Sequence, residues 1–319
     1  MDVSTALTDY LLSIGNLGKR TQLVYRQRLL VFASWCTEQH VKLEQVNNRQ
    51  VQAFLEYLRT TRKPHKQGKT QISSVTIGDY VQVIWAFLNW CLQDEDYQSH
   101  VTLARVKGIK MPRIDQIIKD TYTDKELAAL FEACQSPDKP QHYQLRDTAI
   151  LAVLLDTGIR NEELRTLTIG NVFLASDVQE DSYIKVMGKG RKEREIPLGN
   201  KARRILSRYI RQYRSKKGVL KTDVVFPSRH GGPIRHESLK DVLWRLKARA
   251  GLPDDAQVNP HKFRHTWARR FIEGGGDIYD LSRLMGHSSV AVTENYLKSL
   301  GVDAARKRVQ GRKSVLDSL

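Results

Sequence analysis

The sequence predicts a mainly α-helical protein of two domains: an all-α first domain, then an α-rich second domain carrying a small antiparallel β-sheet. Three observations lead there. At 319 residues, the chain exceeds the size at which one hydrophobic core keeps growing. Apolar residues recur at helical spacing through both halves. The one strand-like passage is a pair of short runs, Ser182–Val186 and Arg194–Leu198, around a glycine turn, which reads as a hairpin.

The first domain is assigned to residues 1–106. Tyr10, Leu11 and Ile14 begin it. From Thr21, Leu23, Tyr25, Leu29, Leu30, Phe32, Ala33, Trp35 and Cys36 mark a helix, with Arg26 and Arg28 on its other side. Val51, Phe54, Leu55 and Leu58 mark a third helix, and Val81, Ile84, Trp85, Leu88 and Trp90 a fourth, from Ser74 to Leu92. Between these two, Arg59, Arg62, Lys63, Lys66 and Lys69 form a basic stretch. It is either a solvated loop or a surface for phosphate. Gly108 and Pro112 break the periodicity, so residues 107–122 read as a linker. Its Lys107, Lys110 and Arg113 suit a segment lying along a phosphate backbone.

The second domain, 123–303, opens at Thr123-Asp124-Lys125-Glu126, a helix start with an acidic first turn. Leu145–Thr157 is apolar on nearly all sides, which places it in the centre of a core, and Gly158 ends it. After the hairpin, helices continue, interrupted at Gly231-Gly232-Pro233 and Gly274-Gly275-Gly276. The tail, 304–319, is basic and then mildly apolar.

Charge narrows the partners. Lys and Arg number 52 against 35 Asp and Glu, a net +17, with an isoelectric point near 9.8. A polyanion is implied, because each cation placed on a phosphate releases a condensed counterion. Nucleic acid ranks ahead of an anionic membrane surface or a ribosome, and solubility alone is the remaining reading. The longest clean apolar run, Ala149–Leu155, is far short of the ~20 residues that span a bilayer. Met1-Asp2-Val3-Ser4 lacks the basic start of a signal peptide. The expectation is a cytoplasmic, nucleoid-associated protein with no membrane partner. Cys36, Cys91 and Cys134 are widely spaced and read as core thiols in a reducing compartment.

Several segments concentrate groups that handle charge. Arg160 and Glu163 lie three residues apart after Gly158, so on a helix the carboxylate can hold the guanidinium in a fixed direction. Taken alone, the pair reads better as an exposed helical ion pair. His261 and Arg264 share the same spacing. His261 and His265 are four apart, but Lys262 stands where a zinc motif needs Glu, so no metal and no cofactor are expected. Gly286-His287-Ser288-Ser289 reads as a helix-ending glycine, a histidine and a cap for the helix that carries Tyr296. That tyrosine alone would be half-buried structure. Lys189 sits between two glycines in the hairpin turn, where its amine can swing toward a ligand. Together these groups suit a phosphodiester whose oxygens gain charge in a five-coordinate transition state. Tyr296 offers an oxygen nucleophile, inert until a cationic site stabilises its phenolate.

Four segments in order, TGIRNEEL, GKGRKEREIPLG, HKFRHTWA and MGHSSVAVTENYL, resemble the tyrosine recombinases, the phage integrase and Xer-like family. The resemblance covers roughly Thr123 to Leu300, and the helical domain before it looks like the family's core-binding domain. It implies a C-shaped clamp on duplex DNA and a site-specific recombinase that cuts and rejoins strands through a 3′-phosphotyrosine and a Holliday junction. Carried over, Arg160 and Arg264 clamp the scissile phosphate, and Lys189 protonates the leaving 5′-oxygen. His261 assists proton transfer, His287 hydrogen-bonds a phosphate oxygen, Tyr296 attacks, and Glu163 supports the site. Lys192 leaves some ambiguity in the lysine's identity. Arg62, Lys63, Lys66, Lys107, Lys110, Arg113, Arg191 and Lys192 are the candidate DNA contacts. The implied partner is double-stranded DNA with paired sites, bound by a homotetramer that is a monomer or weak oligomer when free. The tail is either a contact to a neighbouring protomer or a frayed end. The alternatives are a DNA-binding regulator that grips phosphate without cutting, and a type IB topoisomerase-like relaxing enzyme.

Overall fold

The computed structural model describes residues 1–61, 72–113, 120–175, 181–188, 192–214, 222–287, 289, 290 and 292–294. The chain divides into two compact units, Met1–Ile117 and Ile118–Leu319.

The first unit is all-helical. Its elements are α1 (Val3–Ser13), α2 (Lys19–Glu38), α3 (Asn48–Thr61), α4 (Ser74–Cys91) and α5 (Leu103–Gly108). Ser73 starts α4 by accepting the Thr76 backbone N–H on its side-chain oxygen, which satisfies an otherwise orphaned donor. Leu29, Phe32, Phe54, Leu58, Ile84 and Phe87 fill the core. The Phe32 and Phe54 rings meet edge to face at 5.0 Å. Each such ring stabilises the unit by about 1.5–3 kcal/mol through burial, so Phe54→Ala costs about 3–5 kcal/mol.

The structure departs from the sequence reading in three places. Leu23, Leu30 and Trp85 are exposed, because each lies off the stripe that faces the core. Arg28 does not face open solvent: its guanidinium donates to Asp79 at 2.7 Å, linking α2 to α4. The expected linker is partly core, since Lys107 lies within α5, and Val106 and Ile109 are buried in the first unit. The two apolar residues outweigh the Gly and Pro signals around them.

The second unit opens with α6 (Asp124–Cys134), where Thr123 and Glu126 cap each other reciprocally. Next come α7 (Gln141–Thr157) and α8 (Asn161–Thr166), followed by β1 (Val172–Phe173), β2 (Tyr183–Met187) and β3 (Glu193–Pro197). The remaining helices are α9 (Asn200–Tyr209), which runs into a π-helical turn, α10 (His236–Arg249), α11 (Pro260–Glu273) and α12 (Ile278–Met285). The strands form one antiparallel sheet in the order β1-β2-β3, with Ile184 opposite Ile196 and Met187 opposite Glu193. The Gly188 N–H donates to the Lys192 carbonyl at 2.8 Å and closes the hairpin. Every residue from Ala149 to Leu154 is buried, so α7 is the central helix of this core, as its all-round apolar sequence requires. Among the described residues no helix is long and apolar enough to cross a membrane.

Candidate active site

The second unit brings the ends of α7 and α12, the start of α8, the first turns of α11 and strand β3 to one place. Gly158 ends α7 in the left-handed conformation, φ 57°. Arg160 follows in extended backbone as the N-cap of α8, and Glu163 is the third residue of that helix. Arg160 and Glu163 are therefore not two residues on one helical face. The helix begins after Arg160, and Glu163 reaches back to it. Its carboxylate accepts the Arg160 backbone N–H at 2.7 Å and the Arg160 Nη1 at 2.9 Å.

Glu163 is 6% exposed, which excludes the exposed ion pair. A second guanidinium completes its shell: Arg194 Nη1 donates to Oε1 at 2.9 Å and Nη2 to Oε2 at 2.8 Å. Burial pushes the Glu163 carboxyl upward, but the bonds from Arg194 and the Arg160 N–H outweigh it and hold the group below the usual carboxylate range.

The carbonyls at the end of α12 hold the arginines. Arg194 Nε donates to the Leu284 carbonyl, Arg264 Nη2 to Met285 and Arg160 Nη2 to Gly286, each at 2.7 Å. A helix leaves its last carbonyls without partners and carries partial negative charge there. Three successive carbonyls thus receive three guanidiniums. Arg264, 5% exposed, also donates Nη1 to the Gly158 carbonyl at 2.7 Å. Asn259 seats its helix by accepting the Lys262 N–H on its side chain.

His287 follows the left-handed Gly286. Its Nε2 lies 3.2 Å from Arg264 Nη2 and its Nδ1 2.8 Å from Thr293 Oγ1. A guanidinium can only donate, so Nε2 accepts and the ring proton sits on Nδ1, directed at the buried Thr293.

The structure therefore gathers Arg160, Glu163, Arg264 and His287. His261 occupies the first turn of α11, one turn before Arg264, and is exposed. Its neighbour Lys262 is the buried one, 2.6 Å from Asp120, 3.5 Å from Glu126 and over the Tyr122 ring at 4.6 Å. Lys192 is exposed just past the hairpin turn. Lys189, Arg191 and Tyr296 lie outside the described residues, as do Arg62, Lys63 and Lys66. Lys107, Lys110 and Arg113 are exposed in the first unit. Among the described residues no group of three or more His, Cys, Asp and Glu could hold a metal ion.

Arg194 escaped the sequence reading. Its signal was available: it alternates with the buried Ile196 on β3, and a charged residue at an inward position needs a partner.

Residues 121–301 match the sequence model of the phage integrase family. The chain belongs to the phage integrase family. Among its relatives, the tyrosine recombinase XerD of Chlorobaculum tepidum is 27% identical over 289 residues, covering 90% of this chain and 88% of that one. The tyrosine recombinase XerC of Staphylococcus carnosus is 28% identical, covering 88% and 86%. The fold of this phage integrase family member also matches solved structures. XerH site-specific recombinase bound to palindromic difH substrate aligns with a TM-score of 0.73 at 17% identity, covering 96% of this chain and 83% of that one. The Tn1549 transposon integrase in complex with circular intermediate DNA aligns at 0.69 with 19% identity, covering 97% and 99%.

Proposed function

We propose that the protein is a site-specific DNA recombinase that cuts and rejoins duplex DNA through a covalent tyrosine link. The observation that carries this reading is the convergence of Arg160, Arg264 and His287 on the end of α12, with Glu163 beneath them. Family membership and the XerC and XerD relatives support it.

In this reading Arg160 and Arg264 hold the non-bridging oxygens of the scissile phosphate, and His287 hydrogen-bonds one of them through Nε2, its ring proton having moved there from Nδ1 once Arg264 turns to the phosphate. The Tyr296 oxygen attacks phosphorus, giving up its proton with the assistance of His261. The 5′-oxygen departs with a proton from Lys189, and the 3′-phosphate remains on Tyr296. One phosphodiester replaces another, so the energy of the broken bond is kept. Attack by a 5′-hydroxyl reverses the step and reseals the strand. Strand exchange requires two sites and a homotetramer, which is the assembly assigned to the DNA-bound protein. The first unit acts as the core-binding domain and residues 123–303 as the catalytic domain.

The test is covalent capture. The protein is incubated in EDTA with a library of nicked duplexes from its own genetic neighbourhood, and products are run on denaturing gels beside Tyr296→Phe. A DNA-linked band that vanishes in the variant is the expected result. A band that survives in Tyr296→Phe refutes the nucleophile. Tight binding with no band from the parent chain favours the non-cleaving regulator.

A further inference from the structure

Arg194 lies outside the residues assigned to phosphate chemistry, yet it is bonded into the middle of the site. Its fork fills both oxygens of Glu163, and its Nε binds the Leu284 carbonyl. Two motif glycines make room for it. A Cβ at Gly188 would stand 3.2 Å from Arg194 Nη1, and one at Gly286 would stand 3.0 Å from the same atom. Gly188 closes the turn of the Lys189 hairpin, and Gly286 precedes His287 and gives its carbonyl to Arg160. One guanidinium thus packs against the hairpin, the carboxylate under Arg160 and the end of α12.

We propose that Arg194 is a positioning residue that sets the direction of Arg160. Glu163 is a buried carboxylate with two guanidiniums, and each limits how closely the other can be drawn in. Without Arg194 the carboxylate has Arg160 alone as its cation. It would then bind Arg160 more fully and turn donors away from the phosphate. The Leu284 carbonyl would also lose its donor, loosening the strip that Arg160 and Arg264 share. Lysine cannot replace this residue, because an ammonium has no planar fork to serve two oxygens and a carbonyl at once.

This inference rests on the reading of Arg160 and Arg264 as the phosphate clamp, and the experiment separates the two. Arg194→Lys and Arg194→Met are compared with the parent chain in single-turnover cleavage of the nicked duplex recovered by covalent capture. A second substrate carries a neutral methylphosphonate at the scissile position, which demands less of the cationic clamp. Cleavage of the ordinary duplex is expected to fall about 10²-fold, the usual effect of misplacing a catalytic group by about an ångström. DNA affinity should change by less than about threefold, and on the methylphosphonate the deficit should shrink to about threefold. A deficit of equal size on both substrates, or cleavage by both variants within about threefold of the parent, overturns the proposal.

The double variant Arg194→Met/Glu163→Gln adds a second arm. If Arg194 acts through Glu163, the double variant cleaves no more slowly than the slower single variant. A multiplicative loss refutes that route. Should Arg194→Met fail to fold, Arg194→Lys, which keeps the charge, carries the comparison. A parent chain that forms no covalent product, or a Tyr296→Phe that still forms one, rejects the reading of the site and this proposal with it.

Discussion

Gly158→Ala separates two costs that the structure places on one residue. Gly158 has φ 57°, and a Cβ built there falls 2.4 Å from Trp267 Cε3 and 2.8 Å from Cδ2. The left-handed backbone alone costs an L-residue about 1–2 kcal/mol. Forcing a methyl group against a packed indole adds about 1–3 kcal/mol. The total, about 2–5 kcal/mol, should lower the melting temperature by roughly 4–20 °C in a unit of this size. Trp267 lies on α11, three residues beyond Arg264, whose Nη1 binds the Gly158 carbonyl. A displaced ring therefore also disturbs the bond that holds Arg264.

The assay is hydrogen exchange of the α7 amides, which reports opening of the second unit by itself, measured for Gly158→Ala, Trp267→Leu and the double variant. Leucine removes the indole face and leaves the backbone requirement, so in that background Gly158→Ala should cost only about 1–2 kcal/mol. An equal cost in both backgrounds would show that the ring is no obstacle. A cost below about 0.5 kcal/mol, the usual effect of an unremarkable substitution, would refute both terms.

Two further predictions concern charge. The folded state holds the Glu163 carboxyl below the ordinary glutamate value of 4.5, so its contribution is complete above that value and is lost as pH falls through the lower, folded one. Glu163→Gln should be about 2–4 kcal/mol less stable at neutral pH. The gap to the parent should narrow as melts are taken from pH 6 to below 4.5; a constant gap refutes the assignment. For the first unit, replacing Lys107, Lys110 and Arg113 with glutamine should weaken DNA binding and reduce the slope of log affinity against log salt by about 2–3. An unchanged slope removes these residues from the interface.

The helices were legible where periodicity carried information. Phe54, Leu55 and Leu58 lie on the buried stripe of α3, and the unbroken run Ala149–Leu154 could only be satisfied by burial on every side of α7. The hairpin was legible because a glycine turn sits between two alternating runs. Strand β1 was not, since two residues, Val172–Phe173, are too few to show a period. Trp85 misled because apolar character says nothing about which side of a helix the neighbours occupy. The spacing of Arg160 and Glu163 marked a real contact and the wrong geometry, because it cannot tell a helix interior from an N-cap. The β3 alternation marked Arg194 as inward-facing, but its partners were not legible: Glu163 and Leu284 lie 31 and 90 residues away, and only the fold brings them together.

That long-range assembly explains how the site keeps its charge. Three guanidiniums close together repel one another, and pairing each with its own carboxylate would relieve the repulsion while leaving nothing for a phosphate to complement. The structure takes another course. Arg160, Arg194 and Arg264 each bind a carbonyl at the end of α12, an uncharged group with partial negative charge. Only Glu163 bears a full negative charge among these partners, and two of the arginines share it. Three positive charges less one leave an excess of two, held in fixed directions before any anion arrives. Such preorganisation costs no rearrangement when charge develops on a phosphate. It also explains why the helix ends at Gly286: a side chain there would crowd Arg194, which must keep its place, and require a left-handed backbone that L-residues resist.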